Sequence, residues 1–156
     1  MHVFAGQGLP ILTEAEAEAT FPRIKNDLVL SLYGSHIAEL ADRLLPEQQM
    51  NPSAYNLLIV VLTLLETNPR QIFIRAFEVK FLFVLGFWSA SEVETGTDIK
   101  ELLQKLQQES WEEIEKLEIT RKQALELERI LRYYLEKVLE GKLKSFQLIE
   151  KLKIKR

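Results

Sequence analysis

Apolar residues recur along this chain with a helical period, most clearly at Leu127, Ile130, Leu131, Tyr134, Leu135, Val138 and Leu139. The i, i+3, i+4 spacing lays them on one stripe of a long helix that must be buried against partners. Thr120 is its expected N-cap and Gly141 its expected stop, after which Ser145 is placed to cap a short helix through Phe146, Ile149 and Leu152. Upstream, Asn51-Pro52 and Asn68-Pro69 read as two copies of one start signal, asparagine at the N-cap and proline at the first helical position. The helix opened by the first, through Leu57 to Leu65, is apolar nearly all round but far below the roughly 20 residues that cross a bilayer. The second carries Ile72, Phe73, Phe77, Phe81, Leu82, Val84 and Leu85 before Gly86, with few charges, and is expected at the centre of the fold.

The remaining segments follow the same logic. Pro22 suits a first helical turn, and Ile24, Leu28, Leu32, Ile37, Leu40, Ala41 and Leu44 keep helical spacing up to Pro46, with Gly34 as the point of interruption. Thr13 is expected to cap a short helix rich in Glu14, Glu16 and Glu18, and Thr97 one through Ile99, Leu102, Leu103 and Leu106. Ser110-Trp111-Glu112-Glu113 has the pattern of a capping box. Phe87 to Gly96, with its serines and acids, reads as a loop that leaves Trp88 exposed. Residues 1–12 are too few for a sheet and read as an extended stub. The predicted fold is all-α, a single helical domain over 13–156 of about six helices.

Length and composition change little in that picture. With 156 residues, 47% of them hydrophobic, the chain makes one domain with a core. It has no cysteine and two separated histidines, so neither a disulfide nor a thiolate metal site is expected, nor any cofactor. The start MHVFAGQG lacks the basic and apolar regions of a secretory signal, and the expected location is cytoplasmic. The net charge of −3 hides an asymmetry, because residues 142–156 hold six basic and one acidic side chain while the preceding 141 hold 14 and 22. A basic tail on an acidic body can touch phosphates.

No Walker loop, nucleophile elbow, HExxH motif or Cys/His pair occurs, and Gly6 and Gly8 lack the context of a dinucleotide site. The expected function is therefore binding without enzymatic chemistry. On the long helix, Arg129, Tyr133 and Lys137 share one ridge opposite the stripe, where an aromatic between two cations can stack a base and hold phosphates. Lys142 and Lys144 extend that candidate nucleic-acid surface. The same ridge also reads as a solubilising face, since Glu126, Glu136 and Glu140 share or flank it and Glu128 can pair with Arg132. Arg75 and Lys80 emerge from apolar surroundings and need partners, supplied by a bound ligand or by an internal acid such as Glu78. His36 reads as a surface or hydrogen-bonded core histidine.

Three motifs in order resemble one known family. Gly6-Gln7-Gly8-Leu9-Pro10-Ile11-Leu12-Thr13-Glu14, Arg75-Ala76-Phe77-Glu78 followed by Leu85-Gly86-Phe87, and the long helix closing in Leu-Glu-Gly-Lys-Leu-Lys-Ser are similar to the helical domain of bacterial RecO, a recombination mediator. The resemblance implies a role in DNA repair and recombination, and makes residues 1–12 the remnant of an OB-fold strand. It implies as partners the acidic, Phe-terminated tail of single-stranded DNA-binding protein, RecR, and single-stranded DNA. Arg75 matches the family's motif arginine and would grip the tail's terminal carboxylate beside Phe77 and Lys80. Most members carry a longer module, often with four zinc-binding cysteines, where this chain has only the segment from Phe87 to Gly96. The alternative is a helical scaffold or degenerate paralogue that binds another protein and never meets DNA.

Overall fold

In the computed structural model, which describes residues 21–45, 51–139 and 151–152, one helix is buried over most of its length and others pack around it. The described residues form seven α-helices, one 3₁₀ turn and no strand. They are α1 (Pro22–Asn26), α2 (Leu28–Leu44), α3 (Pro52–Thr67), α4 (Gln71–Val84), the 3₁₀ turn Ala90–Glu92, α5 (Thr97–Gln108), α6 (Trp111–Glu115) and α7 (Arg121–Leu139). No helix among the described residues is long and apolar enough to cross a membrane.

The centre is α4, where every residue from Ile72 to Val79, and then Phe81 and Leu82, is buried. A helix apolar round its circumference is stable only when enclosed, and α3, α5, α6 and α7 all pack on α4. Phe77 and Phe81 stack at 4.9 Å between centroids, and Phe73 meets Trp111 of α6 edge-on at 6.2 Å. The α7 stripe is buried as its period predicts, at Leu127, Ile130, Leu131, Leu135 and Leu139. It packs on α4 and α5.

The start and stop signals act with two exceptions. Asn51 caps α3 through Ala54 N–H at 3.1 Å, and Ser110 caps α6 through Glu113 N–H at 3.3 Å. Thr120 and Gln123 form a reciprocal box at the start of α7, with N–H to side-chain oxygen distances of 3.0 and 3.1 Å. Gly86 ends α4 at φ +79°, with Phe87 N–H on Leu82 O at 2.9 Å and Gly86 N–H on Phe83 O at 3.0 Å, the paired bonds of a Schellman stop. Asn68-Pro69, by contrast, starts nothing. Asn68 closes α3, its side-chain amide donates to Glu115 at 2.6 Å, and α4 begins at Gln71 after Arg70. Thr97 is the first residue inside α5 and not its cap, which is Gly96.

Two further expectations are corrected. The segment from Pro22 breaks at Asp27, whose carboxylate accepts Leu30 N–H at 3.0 Å, and not at Gly34. Gly34 lies inside α2, where a Cβ would stand 2.9 Å from Ile24 Cγ2, so its bareness is what lets α1 lie against α2. Trp88 is buried against Tyr134 of α7 at 5.5 Å, and the expected loop contains a 3₁₀ turn boxed by Ser89 and Glu92. Residues 1–20, with the stub and the Thr13 helix, and the Gly141 stop and Ser145 cap lie outside the described residues.

Candidate functional site

Arg75 sits inside the bundle, 4% exposed, with Nη1 3.3 Å from Glu78 Oε1. Glu78 is fully buried and its other oxygen lies 2.7 Å from His36 Nε2, so an Arg–Glu–His chain crosses from α4 to α2. The Arg75–Glu78 contact is a charge pairing without hydrogen-bond geometry, because Arg75 Nε and Nη1 and Glu78 Oε1 have no hydrogen-bond partner. Of the two readings of Arg75, the internal pair with Glu78 is the contact present in the fold. His36 is a hydrogen-bonded core histidine, as expected.

Phe77 is fully buried beneath the other helices. Lys80 is half-buried and donates to the carbonyls of Gln107 at 3.1 Å and Glu109 at 2.7 Å, with its ammonium 5.6 Å from the Trp111 ring centre. It thereby satisfies carbonyls left over at the end of α5. Burial lowers its pKa below the ordinary lysine value, and Glu109 acts in the opposite direction. Arg75 and Phe77 thus lie inside the bundle, while half-buried Lys80 is tied to the end of α5.

A cation-edged opening lies one helical turn away, at the start of α4. A cavity of about 300 Å³ is lined by Leu30, Leu65, Pro69 and Ile74, with Arg23, Arg70, Asp27 and Tyr33 among its polar neighbours. Neighbouring groups hold both guanidinium groups in place. Arg23 Nη1 donates to Glu66 O at 3.1 Å, while Arg70 Nη1 donates to Glu115 O and its guanidinium lies 5.8 Å from the Phe73 ring centre. Sequence reasoning missed this site because Arg23 and Arg70 are far apart in the chain. The local signal is Arg70 itself, a cation immediately before the apolar helix α4.

On α7, Arg129, Tyr133 and Lys137 do share an exposed ridge. Lys137 Nζ lies 5.9 Å from the Tyr133 ring centre, and Tyr133 packs edge-on against Tyr134 at 5.1 Å. Arg129 is hydrogen-bonded to Glu126, which lowers the carboxylate's pKa and raises that of the guanidinium. Glu128 pairs with Arg132 at 3.9 Å, as its spacing predicts. The ridge therefore combines one open aromatic–cation pair with charges already matched. Lys142 and Lys144 lie outside the described residues.

Among the described residues, no group of His, Asp and Glu could hold a metal ion. What the described surface offers is a cavity edged by guanidinium groups and an aromatic ridge, on an all-α domain. The sequence profile described as "Recombination protein O C terminal" matches residues 25–100 and 99–147, so the chain belongs to the RecO family, through its C-terminal domain. The protein named DNA repair protein RecO from Symbiobacterium thermophilum is 38% identical over 88 residues, covering 54% of this chain and 34% of its own length. That from Pelotomaculum thermopropionicum is 27% identical over 180 positions, covering 94% of this chain and 70% of its own length. That from Listeria monocytogenes serotype 4a is 34% identical over 86 residues, 34% of its length. The chain thus spans about a third to about two thirds of the relatives it matches. The Pelotomaculum alignment is longer than the 156 residues available here, so that relative carries positions with no counterpart in this chain. No solved structure matches.

Proposed function

We propose that this domain acts in cytoplasmic DNA repair and recombination as a non-enzymatic mediator, holding the acidic C-terminal tail of single-stranded DNA-binding protein, with RecR and single-stranded DNA as further partners. The observation that carries the reading is the open cavity between α2 and the start of α4, lined by Leu30, Leu65 and Ile74 together with Arg23, Arg70, Tyr33 and the carboxylate of Asp27. Its volume suits one large apolar side chain, and guanidinium forks beside it match a carboxylate. The tail is placed here and not at Arg75 and Phe77 because those two are buried.

Calorimetry with a tail peptide, free and amidated at its C-terminus, tests the assignment. A charge-assisted contact contributes about 1.5 to 3 kcal/mol, so Arg70→Ala should weaken the free peptide roughly ten- to a hundredfold and the amidated peptide far less. Equal losses for both peptides would remove the carboxylate from the site. No binding by the wild type would leave the scaffold reading in its place.

Nucleic-acid contact in this reading is a weak and electrostatic addition. Tyr133 with Lys137 stacks a base while Arg129 stays tied to Glu126, and the basic residues 142–156 meet phosphates. Tight, salt-insensitive binding of an oligonucleotide would refute this part.

A further inference from the structure

The cavity at the start of α4 contains a group that a plain anion site would not have. Its charged lining residues are Arg23, Arg70 and Asp27, two cations and one carboxylate. Asp27 is the N-cap of α2, and the cap uses one of its oxygens. Oδ1 accepts Leu30 N–H at 3.0 Å, while Oδ2 accepts no hydrogen bond from the described residues. The carboxylate of Glu66, which also touches Arg23, is taken up by the amides of Arg23 and Ile24 at 2.8 to 3.3 Å. Among the described residues, each guanidinium makes its hydrogen bond through Nη1, Arg23 to Glu66 O and Arg70 to Glu115 O. The lining therefore offers a ligand donors from two cations and, in Asp27, one open acceptor.

We infer that Asp27 is a specificity-determining residue of this cavity, accepting the last backbone N–H of a bound peptide while Arg70 holds the terminal carboxylate. The inference rests on the tail reading above and adds to it a requirement for a donor. A chain terminus carries an amide N–H and a carboxylate on one carbon, so it satisfies a cation and an acceptor together. An internal acidic side chain holds its carboxylate further from the nearest N–H. A phosphodiester offers acceptors only, and the Asp27 carboxylate repels it. Guanidinium groups alone would welcome either, so Asp27 is the repulsive element that keeps a nucleic-acid backbone out of a cavity meant for a peptide end.

Calorimetry with the wild type and Asp27→Asn tests this, using the free tail peptide, its C-terminally amidated form, and a depsipeptide in which an ester oxygen replaces the last backbone N–H. Asparagine caps a helix about as well as aspartate, so the variant keeps its fold, which circular dichroism checks. The ester should weaken binding to the wild type about tenfold, the low end for a charged acceptor because Asp27 is exposed. Asp27→Asn should weaken the free peptide by a similar factor and lose most of the discrimination against the ester. Inorganic phosphate should displace the peptide from Asp27→Asn at lower concentration than from the wild type. Equal loss from the ester in both proteins, tighter binding of the free peptide by Asp27→Asn, or equal competition by phosphate overturns the role of Asp27. The amidated peptide separates the two claims. If amidation weakens binding to the wild type and the ester does not, the tail reading stands and this inference falls; if the wild type binds no free peptide, or binds it no better than the amidated form, both fall.

Discussion

Replacing Glu78 by glutamine would expose how the interior of this domain handles charge. Glu78 is fully buried, with Arg75 on one oxygen at 3.3 Å and His36 on the other at 2.7 Å. Glutamine keeps the size and the contact toward His36 but removes the negative charge, leaving the Arg75 guanidinium charged and 4% exposed. Breaking one side of a buried pair costs about 3 to 5 kcal/mol, because the remaining ion has lost both water and partner. Removing both charges is a different perturbation. Arg75 Nε and Nη1 make no hydrogen bond that would be lost, so Arg75→Met/Glu78→Gln should recover most of the stability lost by Glu78→Gln alone. Urea titrations of the wild type, Glu78→Gln, Arg75→Met and the double variant at neutral pH, followed by circular dichroism, give the coupling energy directly. A loss below about 1 kcal/mol for Glu78→Gln, or a coupling energy near zero, would show that Arg75 reaches solvent and that the buried pair has been misjudged.

Other consequences are as direct to measure. Phe77→Ala should lose about 3 to 5 kcal/mol in the same titration, the range for a fully buried phenylalanine. Gly34→Ala should lose about 1 to 3 kcal/mol despite alanine's better helix propensity, since its methyl would stand 2.9 Å from Ile24 Cγ2; Ile24→Ala should make the glycine replaceable at little further cost. Lys80 has a folded pKa below its unfolded one, so the unfolded chain binds more protons between the two values. Stability of the wild type relative to Lys80→Met should therefore rise as pH is raised through that window, and a flat difference in denaturant midpoints would contradict the desolvation of the ammonium.

What was legible in the sequence was periodic or local. The α7 stripe, the apolar circumference of α4 and the Asn51 and Thr120 caps depend on neighbours within a few residues, and they stand where the pattern puts them. The Asp27 break was equally local but went unread, because the apolar period continues across it. Trp88 could not be placed from its surroundings of serine and glutamate, since Tyr134 on a distant helix buries it. Asn68 looked like a cap because its amide partner, Glu115, is 47 residues away. The cavity shares that difficulty. Arg75 announced itself as an arginine among phenylalanines, whereas Arg23 and Arg70 become neighbours only when α1 and α2 fold against the junction of α3 and α4.

The start of α1 has a further consequence, for the order in which the chain folds. Phe21 at its N-cap offers no side-chain acceptor, and the amides of Arg23 and Ile24 are taken instead by the Glu66 carboxylate, at 2.8 and 3.3 Å. A helix of five residues is too short to persist alone, so these amides find their acceptor only after α3 has delivered Glu66 to them. Helix α1 is therefore expected to dock late, after the step that limits folding. Weakening its anchor with Glu66→Gln would speed unfolding and leave refolding nearly unchanged, and the α1 amides would exchange with solvent long before those of α4.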